Sequence, residues 1–499
     1  MIFLEKEKGG AVRKHIASLL VLAIAMNLFW GCGTKKEPEE SAQAQASEEA
    51  AAADTAAPAG SAETEPSPEE KVLNIYTIGE DFKNRVQDFY PDYEKVEEDS
   101  GLIGLQRVQW HVFTDEQEYL DALDEGLAMQ VDPESGAAVE DIDQNEKIDM
   151  FVVSENFLKE YVESGFSADI ITDVGLSSEE LADQFLYTKQ MATDSAGRLK
   201  AVTWQATPGV FAYRRSIAQE VLGTDVPEEV QQYVSDWEVF EETAQTMKDS
   251  GYYMLSGYGD AYQVYADNVT SAWVEDGALN IDPHLEDWAV QTREFAQSGF
   301  THGTEQWGDE WKADHASDGK VFGFFYSSWG IHYTLQSKAE GEEDSDSQSA
   351  AGDYAVCLGP EPSHYGGQWV IAAAGSDDME LSAEIMRKLT CDPALMKKIT
   401  LDIREFTNTV SGMTELAQSD YSAEVLGGQN PIPVYVESAG RLNKAHTTVY
   451  DNDLDTGFQV TMQDYFAGRV SEIDALETFR KVALSRYEEL QDIAEDEEE

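Results

Sequence analysis

The chain has 499 residues, 42% of them hydrophobic and 10% aromatic, and 97 acidic against 34 basic residues give a net charge of −63. A chain of this length exceeds what one hydrophobic core supports, so we expect two domains. A surface this acidic repels phosphate backbones and anionic headgroups, and we therefore expect no nucleic-acid partner.

The amino terminus has the pattern of an exported protein. Four basic residues within residues 6–14 precede the apolar run IASLLVLAIAMNLFWG, which ends at Gly31. A run this short favours a cleaved signal over a membrane span, which needs roughly 20 residues. Cys32 follows directly and resembles the lipidated cysteine of a bacterial lipobox, although Phe29 stands where leucine is usual. We predict a lipoprotein-type signal peptide over 1–31; the alternative is an ordinary signal with an incidental cysteine.

The segment after Cys32 is small, polar and acidic. Residues 32–70 show no apolar period and contain four prolines. Such a segment buries too little apolar surface to offset its chain entropy. We therefore expect a lipidated Cys32 followed by a disordered acidic tether, on which a folded body stands off the membrane.

From Lys71 onward, strand patterns alternate with helical ones. A helical pattern follows several of the strands, and the clearest helix covers 235–251, with Ser235 and Glu238 as a capping box. The alternation predicts an α/β fold with parallel sheets covered on both faces, and ligands beyond the carboxyl ends of the strands. The strand candidates are VLNIYTI, KIDMFVV, LKAVTW, PGVFAYRR, KVFGFFY and QWVIAAAG.

Motifs for catalysis or metal binding are missing from the sequence. It contains no GxSxG, HExxH, CxxC, Walker A or GxGxxG pattern. DNDLDTG at 451–457 fails the calcium-loop rule and is interpreted as a polar turn. Cys357 and Cys391 are expected to be unpaired packing residues, with one disulfide as the alternative. We expect a non-enzyme without catalytic residues, bound metal or cofactor.

Six stretches in one order resemble a known family over residues 71 to about 485. The chain is similar to the extracellular solute-binding proteins of family 1, which serve carbohydrate ABC importers, and distantly to maltose-binding protein. The order of the pieces carries the resemblance, because no single motif is diagnostic. They are LNIYTIGEDFKNRVQDFYP, KIDMFVVSENFLKEYVESG, AVTWQATPGVFAYRRSIAQEVLG, SDWEVFEETAQTMKDSGYYMLSGYGDAY, KVFGFFYSSWGIHYTL and GGQWVIAAAGSDD.

The resemblance implies a two-lobed, periplasmic-binding-protein-like (type II) fold, each lobe a sheet flanked by helices, with a ligand cleft between lobes. By carry-over, 71–207 with 367–408 forms the first lobe and 208–366 with 409–499 the second. Such a protein captures a sugar or oligosaccharide and delivers it to the transmembrane subunits of an ABC permease. We expect a monomer at the outer face of the cell membrane, which contacts the membrane through its lipid anchor only.

The same resemblance implies the ligand contacts. Glu80 and Asp81 follow the first strand and are expected to accept hydrogen bonds from sugar hydroxyls, although Asp81 is equally suited to N-cap the next helix. Trp329 matches the position where the family stacks an aromatic ring on the apolar face of a sugar. Tyr213, Trp237 and Trp288 are expected to pack in cores instead. The other expected contacts are Glu155, Asn156, Trp204, Gln205, Tyr258, Asp260 and Trp369.

Three other functions remain open at this point. The same fold with an anionic cleft would suit a non-sugar solute such as a polyamine. An exported glycosidase would need two carboxyl groups about 5–10 Å apart across the sugar bond, and adjacent Glu80 and Asp81 make a poor pair. A surface adhesin or sensor subunit would keep the fold and present its ligand to a receptor.

Overall fold

A computed structural model describes residues 71–132, 137–139, 142, 144–336 and 349–492 of the chain. The predicted signal peptide, Cys32 and the predicted tether over 32–70 lie outside these residues. Within the described part of the chain, no helix has the length and apolar character needed to cross a bilayer.

The strands contribute to two larger and two smaller sheets. In chain order they are β1 (Val72–Ile78), β2 (Tyr93–Glu97), β3 (Ser100–Ile103), β4 (Gln106–Phe113), β5 (Met150–Ser154), β6 (Pro208–Arg214), β7 (Leu255–Gly257), β8 (Val274–Glu275), β9 (Ala278–Leu279), β10 (Thr301–Thr304), β11 (Gly323–Ser327), β12 (Tyr354–Cys357), β13 (Ser363–His364), β14 (Gln368–Ala372) and β15 (Gln491–Asp492).

Helices cover the sheets. They are α1 (Asp81–Phe89), α2 (Glu116–Gln130), α3 (Glu155–Glu163), α4 (Leu186–Met191), α5 (Arg215–Val221), α6 (Pro227–Val230), α7 (Trp237–Asp249), α8 (Tyr262–Ala266), α9 (Pro283–Ser298), α10 (Asp309–Ala313), α11 (Ser328–Gly330), α12 (Met379–Cys391), α13 (Pro393–Ile403), α14 (Val410–Ala417), α15 (Ile432–Arg441), α16 (Asp451–Phe466) and α17 (Glu472–Arg486). Short 3₁₀ turns lie at Gln144–Glu146, Glu180–Asp183, Gln231–Tyr233 and Glu424–Leu426, and a π turn at Ile331–Leu335.

The first sheet has six strands in the order β14-β5-β1-β4-β3-β2. Its centre is parallel, because β1 pairs in parallel with both β4 and β5, while β14 pairs antiparallel with β5. Ile75 and Phe151 are fully buried in the central strands, as expected for a sheet that is covered on both faces. The parallel pairing predicted from the sequence is confirmed for this centre.

The second sheet is built around β6, all of whose residues are buried. β11, β12 and β13 each pair antiparallel with β6. The expectation of a parallel sheet is wrong here, because a strand buried on both faces has the same continuous apolar pattern in either orientation. The predicted strand LKAVTW is also wrong: its residues form isolated bridges only, such as Val202 with Val370.

The chain passes between the two sheets in two segments that lie side by side. The Thr207 hydroxyl donates to the carbonyl oxygen of Gly366 over 2.7 Å, and the Tyr365 amide donates to Thr207 over 3.1 Å. Gly366 and Gly367 take positive φ values of 70° and 129°, which glycine adopts without steric cost. These paired crossings join the two lobes of the fold. The lobe boundaries given above stay a prediction.

Three local predictions are corrected. α1 has Glu80 at its N-cap and begins at Asp81, so Asp81 is not the cap. α7 is capped by Asp236, whose carboxylate accepts from the Val239 amide over 2.9 Å, so the capping box on Ser235 is wrong. Residues 451–457 open α16 and do not form a polar turn. Aspartates are favourable in the first turn of a helix, so the aspartates of 451–457 mark the start of α16, although the same residues are also typical of a polar turn.

Large aromatic side chains fill the cores. Tyr213 and Trp288 are fully buried in one core, as predicted, and Trp237 packs against the same core. A second core contains Trp110, Trp204 and Trp369. Cys357 and Cys391 are both free thiols, which confirms their unpaired assignment.

Candidate functional site

The two carboxylates after β1 face different surroundings. Glu80 is 61% exposed, and its Oε1 lies 3.4 Å from the Lys83 ammonium, which also contacts Asp99 at 2.8 Å. Asp81 is half-buried and lies one helical turn before Arg85. Burial raises the pKa of the Asp81 carboxyl, Arg85 lowers it, and the negative charges of Glu405 and Glu80 raise it further.

Trp204 belongs to a buried ion-pair cluster next to Asp81. Arg85 and Glu405 form a salt bridge of 2.7 Å with side chains 9% and 8% exposed, and the Trp204 indole donates to Glu405 Oε1 over 3.2 Å. Trp204 is 0% exposed and its ring packs at 5.3 Å from Phe82. Its ring therefore offers no surface on which a sugar can stack in this conformation.

Tyr333, in the π turn after α11, brings an aromatic ring to the same cluster. Its side chain is 55% exposed. The pKa of its phenol is raised by partial burial and by the charges of Glu405 and Asp81, while Arg85 acts in the opposite direction. The segment after β11 of the second sheet therefore approaches α1, the helix that follows β1.

Trp329 stands at the carboxyl end of β11, in the short helix α11. Ser327 caps this helix and accepts from the Gly330 amide over 3.4 Å. Trp329 is half-buried, and its indole nitrogen donates to the Tyr365 carbonyl over 2.9 Å. The rings of Trp329 and Tyr365 lie 6.3 Å apart at an angle of 33°, and Tyr365 is 44% exposed. Two aromatic surfaces therefore meet solvent beside the crossing segments.

Glu155 begins α3, directly after β5. Its backbone amide donates to Gly367, and its Oε1 lies 2.7 Å from Nε2 of His364. Because His364 directly precedes Tyr365, its contact with Glu155 brings this carboxylate close to the tyrosine in the chain. Burial and the negative charge of Glu155 raise the pKa of the Tyr365 phenol. Asn156 follows on the exposed surface of the helix.

His364 connects Glu155 to a further ion pair. Its Nδ1 lies 2.8 Å from Asp267 Oδ1, and the same oxygen lies 2.9 Å from the Lys444 ammonium. Burial raises the pKa of Asp267, but the charges of His364 and Lys444 outweigh it and lower that pKa to about 2. The carboxylate of Asp267 is therefore ionised.

A small hollow lies next to Asp267 and Lys444. Its acidic lining includes Asp455, which accepts from the Trp273 indole over 2.9 Å and from the Tyr262 hydroxyl over 2.5 Å. Burial and the nearby charge of Asp451 raise the pKa of Asp455 to about 7. In the described residues, no group of three or more His, Cys, Asp or Glu side chains is arranged to hold a metal ion.

The remaining predicted contacts lie in other surroundings. Trp369 is 2% exposed and its indole donates to the Thr188 carbonyl. Asp260 is buried, accepts from the Ser256 and Gly257 amides and the Trp311 indole, and has a pKa that burial raises to about 6. Neither side chain offers a free surface in this conformation. The other two are half-buried: Tyr258, near Phe466, and Gln205, whose backbone bridges Thr407.

The sequence reasoning missed four residues of this region. Tyr333 follows Trp329 by four residues and Tyr365 directly precedes the Gly-Gly turn, and both spacings are visible in the sequence. His364 and Lys444 carry no local signal, since their partners lie far away along the chain.

Comparisons with known proteins identify the fold. No family model matches the chain, and no curated protein matches it either. Among solved structures, an extracellular solute-binding protein of family 1 superimposes with a TM-score of 0.67 at 15% identity, over 83% of this chain and 99% of that one. This chain has the fold of an extracellular solute-binding protein.

Two sugar-binding proteins share the fold. The sugar-binding protein MalE of Xanthomonas citri matches with a TM-score of 0.63 at 12% identity, over 83% of this chain and 97% of that one. The galacto-N-biose-/lacto-N-biose I-binding protein of the Bifidobacterium longum ABC transporter matches with a TM-score of 0.59 at 13% identity, over 83% of this chain and 98% of that one. The two-lobed solute-binding fold predicted from the sequence is confirmed.

Proposed function

We propose that this protein captures a neutral sugar or oligosaccharide between its two lobes and delivers it to an ABC import permease. The observation that carries the proposal is the pair of partly exposed rings, Trp329 and Tyr365, together with the Glu155 carboxylate, which contacts His364 directly before Tyr365. Structural neighbours described as sugar-binding proteins of ABC transporters support the same class of ligand.

The proposed contacts supply the two interactions that a sugar needs. Aromatic rings cover the apolar C–H face of a pyranose, and carboxylates accept hydrogen bonds from its hydroxyls. A micromolar affinity needs about 8 kcal/mol, and hydrogen bonds to charged groups contribute roughly 1.5–3 kcal/mol each. Three such bonds from Asp81 and Glu155 at the upper end of this range, together with stacking on Trp329 and Tyr365, reach that value after an association cost of ~4 kcal/mol.

The charges around the site favour a neutral ligand over a polyamine. Asp81 lies beside Arg85, and Glu155 is paired with His364. A carboxylate next to a cation still accepts hydrogen bonds from hydroxyl groups. Its attraction for a free polycation is largely cancelled, because the two local charges oppose each other.

The location of the protein is part of the proposal. The leader with Cys32 and the acidic segment over 32–70 support a lipid anchor at the outer face of the cell membrane. We also propose that the protein is a monomer without a catalytic role. Glu80, Asn156, Gln205 and Tyr258 remain proposed secondary contacts.

A ligand screen tests this function. The purified protein is heated with maltotetraose, lacto-N-biose, β-1,6-galactobiose, tagatose or spermidine, and hits are measured by calorimetry. We expect a sugar to raise the melting temperature, because a ligand that binds only the native state stabilises it. A shift with spermidine alone contradicts the neutral-ligand proposal, and turnover of chromogenic glycosides that Glu155→Gln abolishes contradicts a pure binding role.

A further inference from the structure

Four charged side chains form a chain that crosses from one lobe to the other. In order they are Glu155, His364, Asp267 and Lys444, and we call them the His364 bridge. The three contacts between successive members measure 2.7, 2.8 and 2.9 Å. His364 and Asp267 have side chains that are 0% exposed, against 22% for Glu155 and 12% for Lys444.

The members come from four separate parts of the chain. Glu155 begins α3 beside the first sheet, while His364 ends β13 in the second sheet. Asp267 follows α8, and its second carboxylate oxygen accepts from the His364 backbone amide over 2.5 Å. Lys444 lies between α15 and α16. The bridge therefore joins a proposed ligand contact of the first lobe to two anchors near the second sheet.

We propose that His364 is a positioning residue for ligand binding: as an imidazolium, it holds the Glu155 carboxylate beside Tyr365 by tying it to Asp267 and Lys444. This inference rests on the proposed function, since it assigns His364 a role in the same site.

The charges of the bridge require the protonated form of the ring. With His364 charged, two carboxylates alternate with two cations and the net charge is zero. Nε2 of His364 hydrogen-bonds the Glu155 carboxylate, whereas Nδ1 lies 2.8 Å from Asp267 Oδ1 as an ion-pair contact outside hydrogen-bond geometry. A neutral imidazole carries a proton on only one of these nitrogens, so it turns an N–H toward only one of the two carboxylates. The other carboxylate would then meet a nitrogen lone pair in a buried setting, which is strongly unfavourable.

Glu155 is the member expected to move when the proton is lost. Asp267 is fully buried and stays held by Lys444 and by the His364 backbone amide. Glu155 has the more exposed side chain, and its carboxylate is held by His364 over 2.7 Å. Loss of the proton therefore releases the proposed ligand acceptor and leaves the second-lobe anchor in place.

The pH range of this release follows from the surroundings of the ring. Burial alone would lower the pKa of His364, but the charges of Asp267 and Glu155 outweigh it and raise that pKa to about 9. A raised pKa means that the contribution of the bridge is complete below the ordinary histidine value and is lost as the pH rises through about 9. The titratable or charged groups that face the bridge from packed elements are Glu155, Asp267, Lys444, Tyr187, Tyr365, Asp451 and Asp455.

The first test observes the ring in the unmodified protein. Proton–nitrogen NMR of the histidine side chains reports protonation, and His364→Gln assigns the signal by difference. We expect both ring nitrogens of His364 to carry protons at pH 7.5 and the signal to titrate near pH 9. Glu155→Gln should lower that midpoint by at least one pH unit. A neutral ring at pH 7.5 in the unmodified protein would overturn the proposal.

The second test measures affinity for the sugar from the panel that binds best. Between pH 7.5 and 10 we expect the unmodified protein to lose at least tenfold in affinity. His364→Gln should bind at least tenfold more weakly at pH 7.5 and show little further change up to pH 10. His284→Gln, which removes another His–Glu contact of 2.8 Å, is the matched control and should behave like the unmodified protein.

The outcomes separate the two proposals. Unchanged affinity and pH dependence in a folded His364→Gln protein would overturn the positioning role while leaving sugar binding intact. If none of the sugars binds the unmodified protein, the proposed function is overturned. The coupling of His364 to Glu155 is then judged by NMR alone, where an unchanged midpoint in Glu155→Gln overturns it.

Discussion

Trp204 and Trp329 lie near the places where the chain passes between the sheets, yet their surroundings differ. Trp204 is 0% exposed and donates to Glu405, which is itself locked in a salt bridge with Arg85. Trp329 is half-buried, donates to a backbone carbonyl and keeps part of its ring in solvent next to Tyr365.

The difference shows that the residue type does not decide the role of a tryptophan at a crossing. Both indole nitrogens are satisfied, so hydrogen bonding does not separate the two. Free ring surface does: only an exposed face can exchange water for the C–H groups of a ligand. We therefore expect the Trp204 region to act on stability and the Trp329 region to act on binding.

The largest expected effect is the loss of stability in Trp204→Ala. Removing a fully buried tryptophan costs about 3–5 kcal/mol, and Glu405 also loses a hydrogen-bond donor. The free energy of unfolding, measured with chemical denaturant, should fall by that amount. A change below ~1 kcal/mol would contradict the assignment of Trp204 to the core.

Trp329→Ala is expected to weaken ligand binding and to leave the stability of the fold largely unchanged. Affinity for the bound sugar should fall by more than tenfold, about 1.4 kcal/mol, while the cooperative thermal transition is kept. Trp329→Phe keeps a ring and should recover part of the affinity. Calorimetry measures both, with exposed Tyr233→Ala as the control. A Trp329→Ala protein without a cooperative transition would assign Trp329 to the core.

A smaller effect is expected for Tyr333→Phe. The change removes a hydroxyl near Arg85 and Asp81 and keeps the exposed ring. The loss of one hydrogen bond is worth about 0.5–1.5 kcal/mol, so affinity should weaken by roughly two- to tenfold. Unchanged affinity would show that this end of the site does not contact the ligand.

Glu80→Gln should have the smallest effect. The Glu80 carboxylate is 61% exposed and shares Lys83 with Asp99, so solvent screens its charge. Stability should change by less than ~0.5 kcal/mol, and affinity by less than about threefold. A larger loss of affinity, with the free energy of unfolding unchanged, would show that Glu80 is a more important hydrogen-bond acceptor for the sugar than Asp81.

Much of the fold could be predicted because local pattern and tertiary position agree. VLNIYTI is a strand over Val72–Ile78 as predicted, and the order of the six stretches indicated the two-lobed solute-binding fold. The relative direction of neighbouring strands was harder to predict from the sequence. β6 is buried throughout, as a parallel strand would be, but its neighbours run antiparallel to it.

The candidate site was harder to predict, because burial and long-range pairing decide it. Trp204 and Trp369 resemble Trp329 in the sequence, and only the packed structure shows that their rings are enclosed. His364 meets Glu155 across 209 residues of chain and Asp267 across 97. No local spacing reports such contacts.

The pairing of β14 with β5 has a consequence for how the protein is made. Ala372 pairs with Met150, so every residue of the second sheet is synthesised before the first sheet receives its last strand. Until then, β5 presents an unpaired apolar edge, and such edges are prone to join other chains. Correct folding therefore requires that β5 does not associate with other chains before β14 has been synthesised. Pairing between strands so far apart in the sequence also slows folding.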